Sequence, residues 1–424
     1  MKLSRRTLPL AVLAALAAPA AHAEVPIDVI GGSEVSFEGL LQADANWFHS
    51  DIRNLNGDAQ DGDKQDAELR RAELVLKGKG PGNIEWVIGY DAKADKWLDT
   101  NLKYKLGGNA NHYLQFGQFK QPNSLEELSS TKNNDFISKA MVTNTWAVAR
   151  RVGAAYSVGD AGWSLTGSLF TRELKRGLAA GEGYGLRGTW APINDTGSIL
   201  HLGLSYVNYD AEKPVINGAN VKNRAGFSVR PDADLAGARL IDTGNIDNAD
   251  RIATTGLEAF WVGGPVKLQG EYMSTKVSRT TSAPSFKGTG GYVSAVWNLT
   301  GETWGYKAGV PTTPLPNEPE SGMWQLGLRY DTMDLNDGAA TVVGNTATIA
   351  GVLGGESSTW TLGANWYLRS NFKLALNYVK VDSSKFLGKT SATYSRNPAY
   401  NGVTFNRVVD DNPDIIEFRA QFYW

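Results

Sequence analysis

The chain has 424 residues, 42 of them Lys or Arg against 44 Asp or Glu, and no cysteine. A formal charge of −2 gives no sign of the strongly basic composition of many nucleic-acid-binding chains, and the lack of thiols excludes disulfides and thiolate metal sites. After the first two dozen residues no apolar run reaches the roughly 20 residues that a membrane-spanning helix needs.

In chain order the first element is a leader. Residues 1–23 combine a basic start (Lys2, Arg5, Arg6), an apolar middle and an Ala21-His22-Ala23 site, the pattern of a secretory signal peptide. The mature protein is therefore expected to be residues 24–424. With the three basic leader residues removed it keeps 39 Lys and Arg against 44 acids, a net charge of −5, so any preference for anions must come from where the cations sit. Export without cysteine suits a bacterial envelope protein. No Pro/Ser-rich linker or shift in composition divides the chain, which reads as one all-β unit.

Apolar and polar residues then alternate with period two in segment after segment. Val35-x-Phe37-x-Gly39-x-Leu41 comes first, followed by Ala72-x-Leu74-x-Leu76, the turn "KGPGN" and Trp86-x-Ile88-x-Tyr90. Leu98 to Leu106, Tyr113 to Phe119, Val148 to Val158, and Trp163-x-Leu165-x-Gly167-x-Leu169 continue it. Tyr184 to Trp190, Leu200 to Tyr206, Leu257 to Trp261, Val266-x-Leu268, Val293 to Leu299, Trp324 to Tyr330, Trp360 to Trp366 and Phe372 to Tyr378 follow. The last is Ile416-x-Phe418-x-Ala420-x-Phe422-x-Trp424.

About sixteen segments of roughly ten residues match the length at which a tilted strand crosses a bilayer. Short turns alternate with long polar stretches at 49–65, 121–147, 212–250, 336–356 and 385–412, as the two ends of an outer-membrane barrel require. The fold expected is all-β: a transmembrane antiparallel β-barrel of 16 strands, with long extracellular loops folding into the lumen. The closing strand pairs with the first, because an open edge is not tolerated in lipid. Trp47, Trp86, Trp190, Trp261, Trp297, Trp366 and Trp424 are placed for interfacial girdles. A secreted β-sandwich, propeller or β-helix is the soluble alternative, but it gives no reason for that alternation of links.

If the apolar stripe faces lipid, the alternate residues face the lumen. This phasing turns Arg71, Lys77, Lys103, Lys105, Arg151, Arg172, Arg187, Lys267, Arg329, Lys373 and Arg419 inward. It does the same for the acids Glu38, Asp44, Glu73, Glu85, Asp91, Asp99, Glu258, Glu271 and Glu417, and such a mixed wall also fits a general water-filled pore. Two long loops add cations. "FKQPNSLEELSSTKNNDFISKA" carries Lys120, Lys132 and Lys139 and is followed by Arg150 and Arg151, and its length at the third extracellular position suits a constriction. The fifth loop carries Lys222, Arg224, Arg230 and Arg239 against Asp232 and Asp234. In a narrow low-dielectric passage such groups replace an anion's hydration, Arg as a bidentate fork on phosphate oxygens and Lys as a point charge.

Several ordered stretches carry a resemblance. "GQFKQPNSLEELSSTK", "RPDADLAGARLIDTGNI", "GLEAFWVGGPVKLQGEYM", "AVWNLTGETWGYK", "LGLRYDTMDLND" and "LGANWYLRSNFKLALNYV" are similar to the phosphate-selective porin O and P family, over nearly the whole mature chain. The resemblance implies a 16-stranded trimeric porin of the bacterial outer membrane. It also implies inward-folded loops and an arginine-rich path to a lysine- and arginine-lined constriction. By position, Arg70 and Arg71, Lys132, Arg230 and Arg239 match the family's basic sites, although the fifth loop has spaced single arginines rather than a dense run. Lys120, Lys139 and Arg151 rest on the loop and strand reading alone.

The function expected is passive diffusion of anions, phosphate or polyphosphate, through a homotrimer in outer-membrane lipid. A weakly selective channel for other small solutes is the alternative within the fold. An enzyme would need a nucleophile and base at a strand end, but His49, His112 and His201 are isolated and there is no G-x-S-x-G elbow. A receptor would need a plug domain ahead of the first strand. No catalytic residue, metal or cofactor is assigned. Amino-terminal sequencing of protein from outer membranes should start at or near Glu24, and an uncleaved chain in the membrane would show that the leader is an anchor.

Overall fold

In hydrocarbon no water is available to backbone amides, so strands that turn apolar side chains to lipid must satisfy every N–H and C=O among themselves. A computed structural model of the protein meets this demand with a closed antiparallel barrel. It describes residues 25–30, 33–56, 65–107, 111–175, 181–211, 215–216, 219–220, 223–369, 371–388 and 406–424. The proposed leader and Lys222 lie outside the described residues.

Of the eighteen strands in the main sheet, sixteen form the wall. They are β1 Ser33–His49, β2 Gln65–Gly80, β3 Ile84–Asp91, β4 Lys96–Lys105, β5 Tyr113–Lys120, β6 Arg150–Gly159, β7 Trp163–Phe170 and β8 Gly183–Asp195. The second half comprises β9 Ser198–Asp210, β10 Ala249–Gly263, β11 Val266–Arg279, β12 Phe286–Asn298, β13 Met323–Val343, β14 Thr346–Leu368, β15 Phe372–Leu387 and β16 Asp414–Tyr423. The other two are annexes: Val25–Ile30 pairs with the start of β1, and Arg407–Asp411 with the far end of β15.

Closure is made by β16 between β1 and β15. On one side the register runs from Leu40 opposite Tyr423 to His49 opposite Asp414, and on the other from Phe372 opposite Phe422 to Lys380 opposite Asp414. The last residue takes part. Gly39 N–H donates to Trp424 O at 3.1 Å, and Trp424 N–H returns to Gly39 O at 3.3 Å. The Trp424 ring lies against Gly39, where a Cβ would come within 2.1 Å of it, so the glycine leaves room for the terminal indole.

The outward stripe is the one read from the sequence. Leu74, Leu76, Leu102, Phe116, Leu165, Leu186, Leu204, Leu257, Val293, Leu328, Leu362 and Leu376 are exposed around the wall, an apolar belt far too extensive for a water-facing surface. Trp163, Trp190, Trp261, Trp297, Trp324 and Trp366 gather near the short-turn ends of their strands, with Trp324 and Trp366 stacked at 5.4 Å. Trp47, Trp97 and Trp360 lie toward the other rim. Tryptophan suits this depth because its ring is apolar and its N–H polar.

Two expectations about the links are corrected. Residues 336–356 are not a loop, because β13 and β14 run on through them as one long hairpin of 21- and 23-residue strands. The stretch "ATVVGNTATI" is rich in β-branched residues and turns at Gly344, whose φ is +60°, which favours pairing over an open loop. Nor do short and long links alternate strictly. Residues 92–95 make a tight turn on the long-loop side, whereas residues 299–322 form a long link on the short-turn side.

Among the described residues three segments fill the lumen: 121–149, 223–248 and the link 299–322. Met141 and Trp146 of the first pack with Phe227, Ile241 and Ile246 of the second against Met273, Phe286 and Met333 of the wall. Leu125 and Phe136 pack with Trp304 of the link against Phe260 and Val262. Removing Gln421–Trp424 would leave backbone groups of β1 and β15 unpaired in lipid, each costing several kcal/mol. The full protein should give a heat-sensitive folded band on detergent gels and the truncated chain should lose it; retention of that band by the truncated chain would show that closure does not depend on these pairs.

Candidate functional site

Loop 121–149 leaves β5 and returns to β6, and its path is set by polar groups of the opposite wall. Ser124 caps the short helix α1, Leu125–Leu128, by accepting the Glu127 N–H on Oγ at 3.2 Å. Glu271 of β11 accepts the N–H groups of Leu125 and Glu126 at 2.9 and 2.8 Å. Helix α2, Met141–Trp146, is capped in the same way, its Met141 N–H donating to Asp331 of β13 at 2.6 Å. A carboxylate at a helix start satisfies donors that have no partner within the helix.

Between the helices the wall supplies cations to loop carbonyls. Lys373 donates to Asn134 O at 2.7 Å, Arg419 to Ile137 O at 2.7 Å and Arg329 to Ser138 O at 3.0 Å. Lys267 pairs with Asp135 at 2.6 Å. Arg329 also binds Asp232 of loop 211–248 at 3.0 Å, and Arg187, paired with Glu258, donates to Gly309 O of link 299–322 at 2.8 Å. These five inward cations are buried. They hold the inserted segments, because carbonyls removed from water need donors.

The other side of the barrel, toward β1–β7, keeps open space on both sides of loop 121–149. Near the short-turn end a cavity of about 430 Å³ is lined by Lys77, Lys103, Lys120, Lys132, Arg150 and Arg187, with Glu38, Glu73 and Asp99. Toward the long loops a cavity of about 200 Å³ is lined by Arg70, Arg71, Lys96, Lys120, Lys139, Arg150 and Arg419, with Glu127 and Asp234. Three residues line both: Lys120, Thr131 and Arg150.

Local backbone irregularities decide who reaches these cavities. In the β1–β2 register Arg71 faces Gln42 and Leu69 faces Ala43, so Arg70 is the extra residue of a bulge. A regular strand shows only one of two neighbours to the lumen; the bulge lets Arg70 and Arg71 line the same cavity. Another register shift, opposite Ile88 and Tyr90, turns Leu98 inward while Trp97 is exposed. Lys96 keeps the same side as Leu98, and regular alternation from Leu102 misses it. Arg150 follows Ala149, whose φ is +54°.

The predicted residues distribute as follows. Arg70 pairs with Asp234 at 3.0 Å and Arg71 with Glu73 at 3.2 Å. Lys120 donates to the carbonyls of Glu127 and Ser129, the latter at 2.9 Å, while Lys139 pairs with the Glu127 carboxylate. Lys132 lies in the inner cavity with its ammonium 5.7 Å from the Tyr423 ring. Arg151 pairs with Glu173 at 3.3 Å and lines neither cavity; its neighbour Arg150, bound to Asp99 at 2.8 Å, lines both. Arg230 and Arg239 also lie outside both linings and donate to Ala236 O at 3.4 and 2.9 Å. Burial, then the neighbouring Arg230 and Arg53, lower the Arg239 guanidinium from its ordinary value.

Two loop carboxylates balance the outer cavity. Burial alone would push both up. Lys139 and Lys120 outweigh it at Glu127, and Arg70, Arg419 and Arg71 outweigh it at Asp234, so each is pulled down to about 2. Among the described residues no His, Cys, Asp and Glu group forms a metal site.

Residues 41–424 match the family described as phosphate-selective porin O and P. Porin O of Pseudomonas aeruginosa is 26% identical over 420 residues, covering 86% of this chain and 88% of that protein. An uncharacterised protein of Caulobacter vibrioides is 28% identical over 339 residues, covering 74% of this chain and 63% of that protein. Among solved structures, the outer-membrane channel DcaP of Acinetobacter baumannii superposes with a TM-score of 0.55 at 10% identity, covering 94% of this chain and all of that one. An anion-selective porin from Comamonas acidovorans gives 0.53 at 12% identity, covering 92% and 100%, and the trimer form of OmpT from Vibrio cholerae 0.53 at 9%, covering 93% and 100%. These likenesses show the fold. With the family match across the barrel, the chain belongs to the phosphate-selective porin O and P family and is a channel of the bacterial outer membrane, not an enzyme.

Proposed function

We propose that the protein is a homotrimeric porin through which phosphate-type anions, orthophosphate or longer polyphosphates, diffuse passively past a Lys/Arg-lined constriction. One observation carries this reading: Lys120 and Arg150 line both cavities, so an anion passing from one to the other meets both. Arg70, Arg71 and Lys139 precede that point on the extracellular side, Lys132 follows on the periplasmic side, and Arg230 and Arg239 lie in the extracellular loop above. Its relative Porin O and the anion-selective porin of the same fold support the anion, and the trimeric neighbour supports the assembly.

The chemistry is replacement of hydration. Lys120 has three donors, two of which serve the carbonyls of Glu127 and Ser129. Arg150 gives its Nε and one Nη2 hydrogen to Asp99 and keeps further N–H groups of its fork. Donors left over in a narrow passage bind an oxyanion without trapping it, as conduction requires. A weakly selective channel is the second reading. It is favoured by the carboxylates beside these cations: Asp234 on Arg70, Glu73 on Arg71, Glu127 on Lys139 and Asp99 on Arg150.

Single-channel currents in KCl, with inorganic phosphate, pyrophosphate or polyphosphate added, separate the two. Phosphate should block the chloride current, and Lys120→Gln with Arg150→Gln should remove most of that block. Lys287→Gln, on the exposed rim, should change little, because its charge is screened within about 8–10 Å at physiological salt. A parent channel without phosphate block supports the weakly selective reading, and a double variant that keeps the block removes the constriction assignment.

The loops that shape the path should tolerate acid. Glu127 and Asp234 are depressed below the usual carboxylate range, so their tethering is in full force above about pH 4 and is lost only as pH falls through about 2. Pepsin should leave 121–149 and 223–248 uncut at pH 3.5 and cleave them near pH 2; ready cleavage at pH 3.5 would show that these two carboxylates do not hold the loops.

A further inference from the structure

Glu127 is out of place in a passage for anions. It is buried, it lines the outer cavity among cations, and its position is fixed from two sides. Its own N–H is held by Ser124 Oγ, and the helix start that carries it is held by Glu271 from the wall. A carboxylate here is not a solvated ornament. It is a negative group delivered to the approach to the constriction.

Its two oxygens do different things. Oε2 takes the Lys139 ammonium, while Oε1 stands 3.9 Å from Lys120 Nζ, too far for a hydrogen bond but close enough for strong attraction. With two Lys120 donors committed to carbonyls, the third is the one a permeant oxyanion must use. Glu127 Oε1 stands beside that donor as an oxygen of the same charge and hardness as a phosphate oxygen.

We propose that Glu127 is a tethered competitor of the permeating oxyanion: its carboxylate compensates Lys120 and Lys139 while the path is empty, and it weakens their hold on phosphate so that the bound anion leaves. This rests on the reading of the cavities as an anion path. Clustered cations with no counter-charge would repel one another in a poorly solvated space, and they would bind a multivalent anion too tightly to pass it on. A fixed carboxylate addresses both problems, since it cannot diffuse away when the anion departs. Its ionisation down to about pH 2, with burial outweighed by Lys139 and Lys120, is in keeping with a group that stays charged throughout.

The sign of one effect tests this. Glu127→Gln keeps the shape and an oxygen for Lys139 but removes the charge. In planar bilayers, the inorganic phosphate concentration that halves the chloride current should fall about fivefold or more, the effect of a unit charge about 4 Å away even at the dielectric constant of water. The blocked intervals should lengthen. If the carboxylate only braced the two lysines, its loss would disorder them, so an unchanged or weakened block overturns the proposal while the anion path stands. A parent channel that phosphate does not block overturns both. Should Glu127→Gln fail to assemble, Glu127→Asp retains the charge but draws it back by one methylene. It should tighten the block by a smaller factor, and no tightening in that variant overturns the proposal equally.

Discussion

The absence of water in the bilayer core is the constraint from which the rest of this structure follows. Each strand must be hydrogen-bonded on both edges, so the sheet has to close, and β16 closes it by pairing with β1 along one edge and β15 along the other. Sixteen strands enclose a lumen wider than wall side chains alone can fill. Something must occupy that space or it stays a wide aqueous hole. Here segments 121–149 and 223–248 enter from one end and link 299–322 from the other, packing around Trp146, Phe227 and Trp304.

Inserting backbone into the lumen creates a second demand. The carbonyls of residues 134, 137 and 138 are withdrawn from bulk water and need donors, and the starts of α1 and α2 need acceptors. The wall meets both with long charged side chains at inward positions: Lys373, Arg419 and Arg329 for the carbonyls, Glu271 and Asp331 for the helix starts. Many of the lumen's charges are thus consumed as structure on the β11–β16 side. The two cavities lie on the opposite side, where β2, β4, β5 and β6 contribute cations to their linings. A chain with more acids than bases can line a passage with cations because placement, not total charge, decides the local field.

Irregular strands refine that placement. A bulge at Arg70 turns two consecutive arginines to one cavity, and the shift opposite Ile88 and Tyr90 turns Lys96 inward. Both devices lie in the wall that faces the outer cavity. Bulges re-aim side chains at little cost when the ladder on either side is intact, which makes them a way of concentrating charge that regular alternation forbids.

Period-two alternation by itself determined the barrel, its closing strand and the lipid-facing stripe, because a strand in lipid has one permissible orientation for each side chain. The same alternation placed Arg187, Lys267, Arg329, Lys373 and Arg419 inside. It did not reveal that these cations bind the inserted segments, four through backbone carbonyls and Lys267 through Asp135, since that depends on where a segment far away in sequence comes to rest. Lys96 was missed for the same reason, since the register shift at Leu98 is a relation between strands, invisible in either strand alone. Arg150 was passed over for Arg151 because the left-handed Ala149 before it is a local backbone conformation that period-two alternation does not show. The hairpin through 336–356 was hidden because its glycines and polar residues interrupt the apolar alternation, although its β-branched residues favour pairing once a partner strand lies beside them. Which charges are spent holding the fold and which keep donors toward the cavities was decided only when loop 121–149 docked, because one ammonium group has three donors and the loop took its share first.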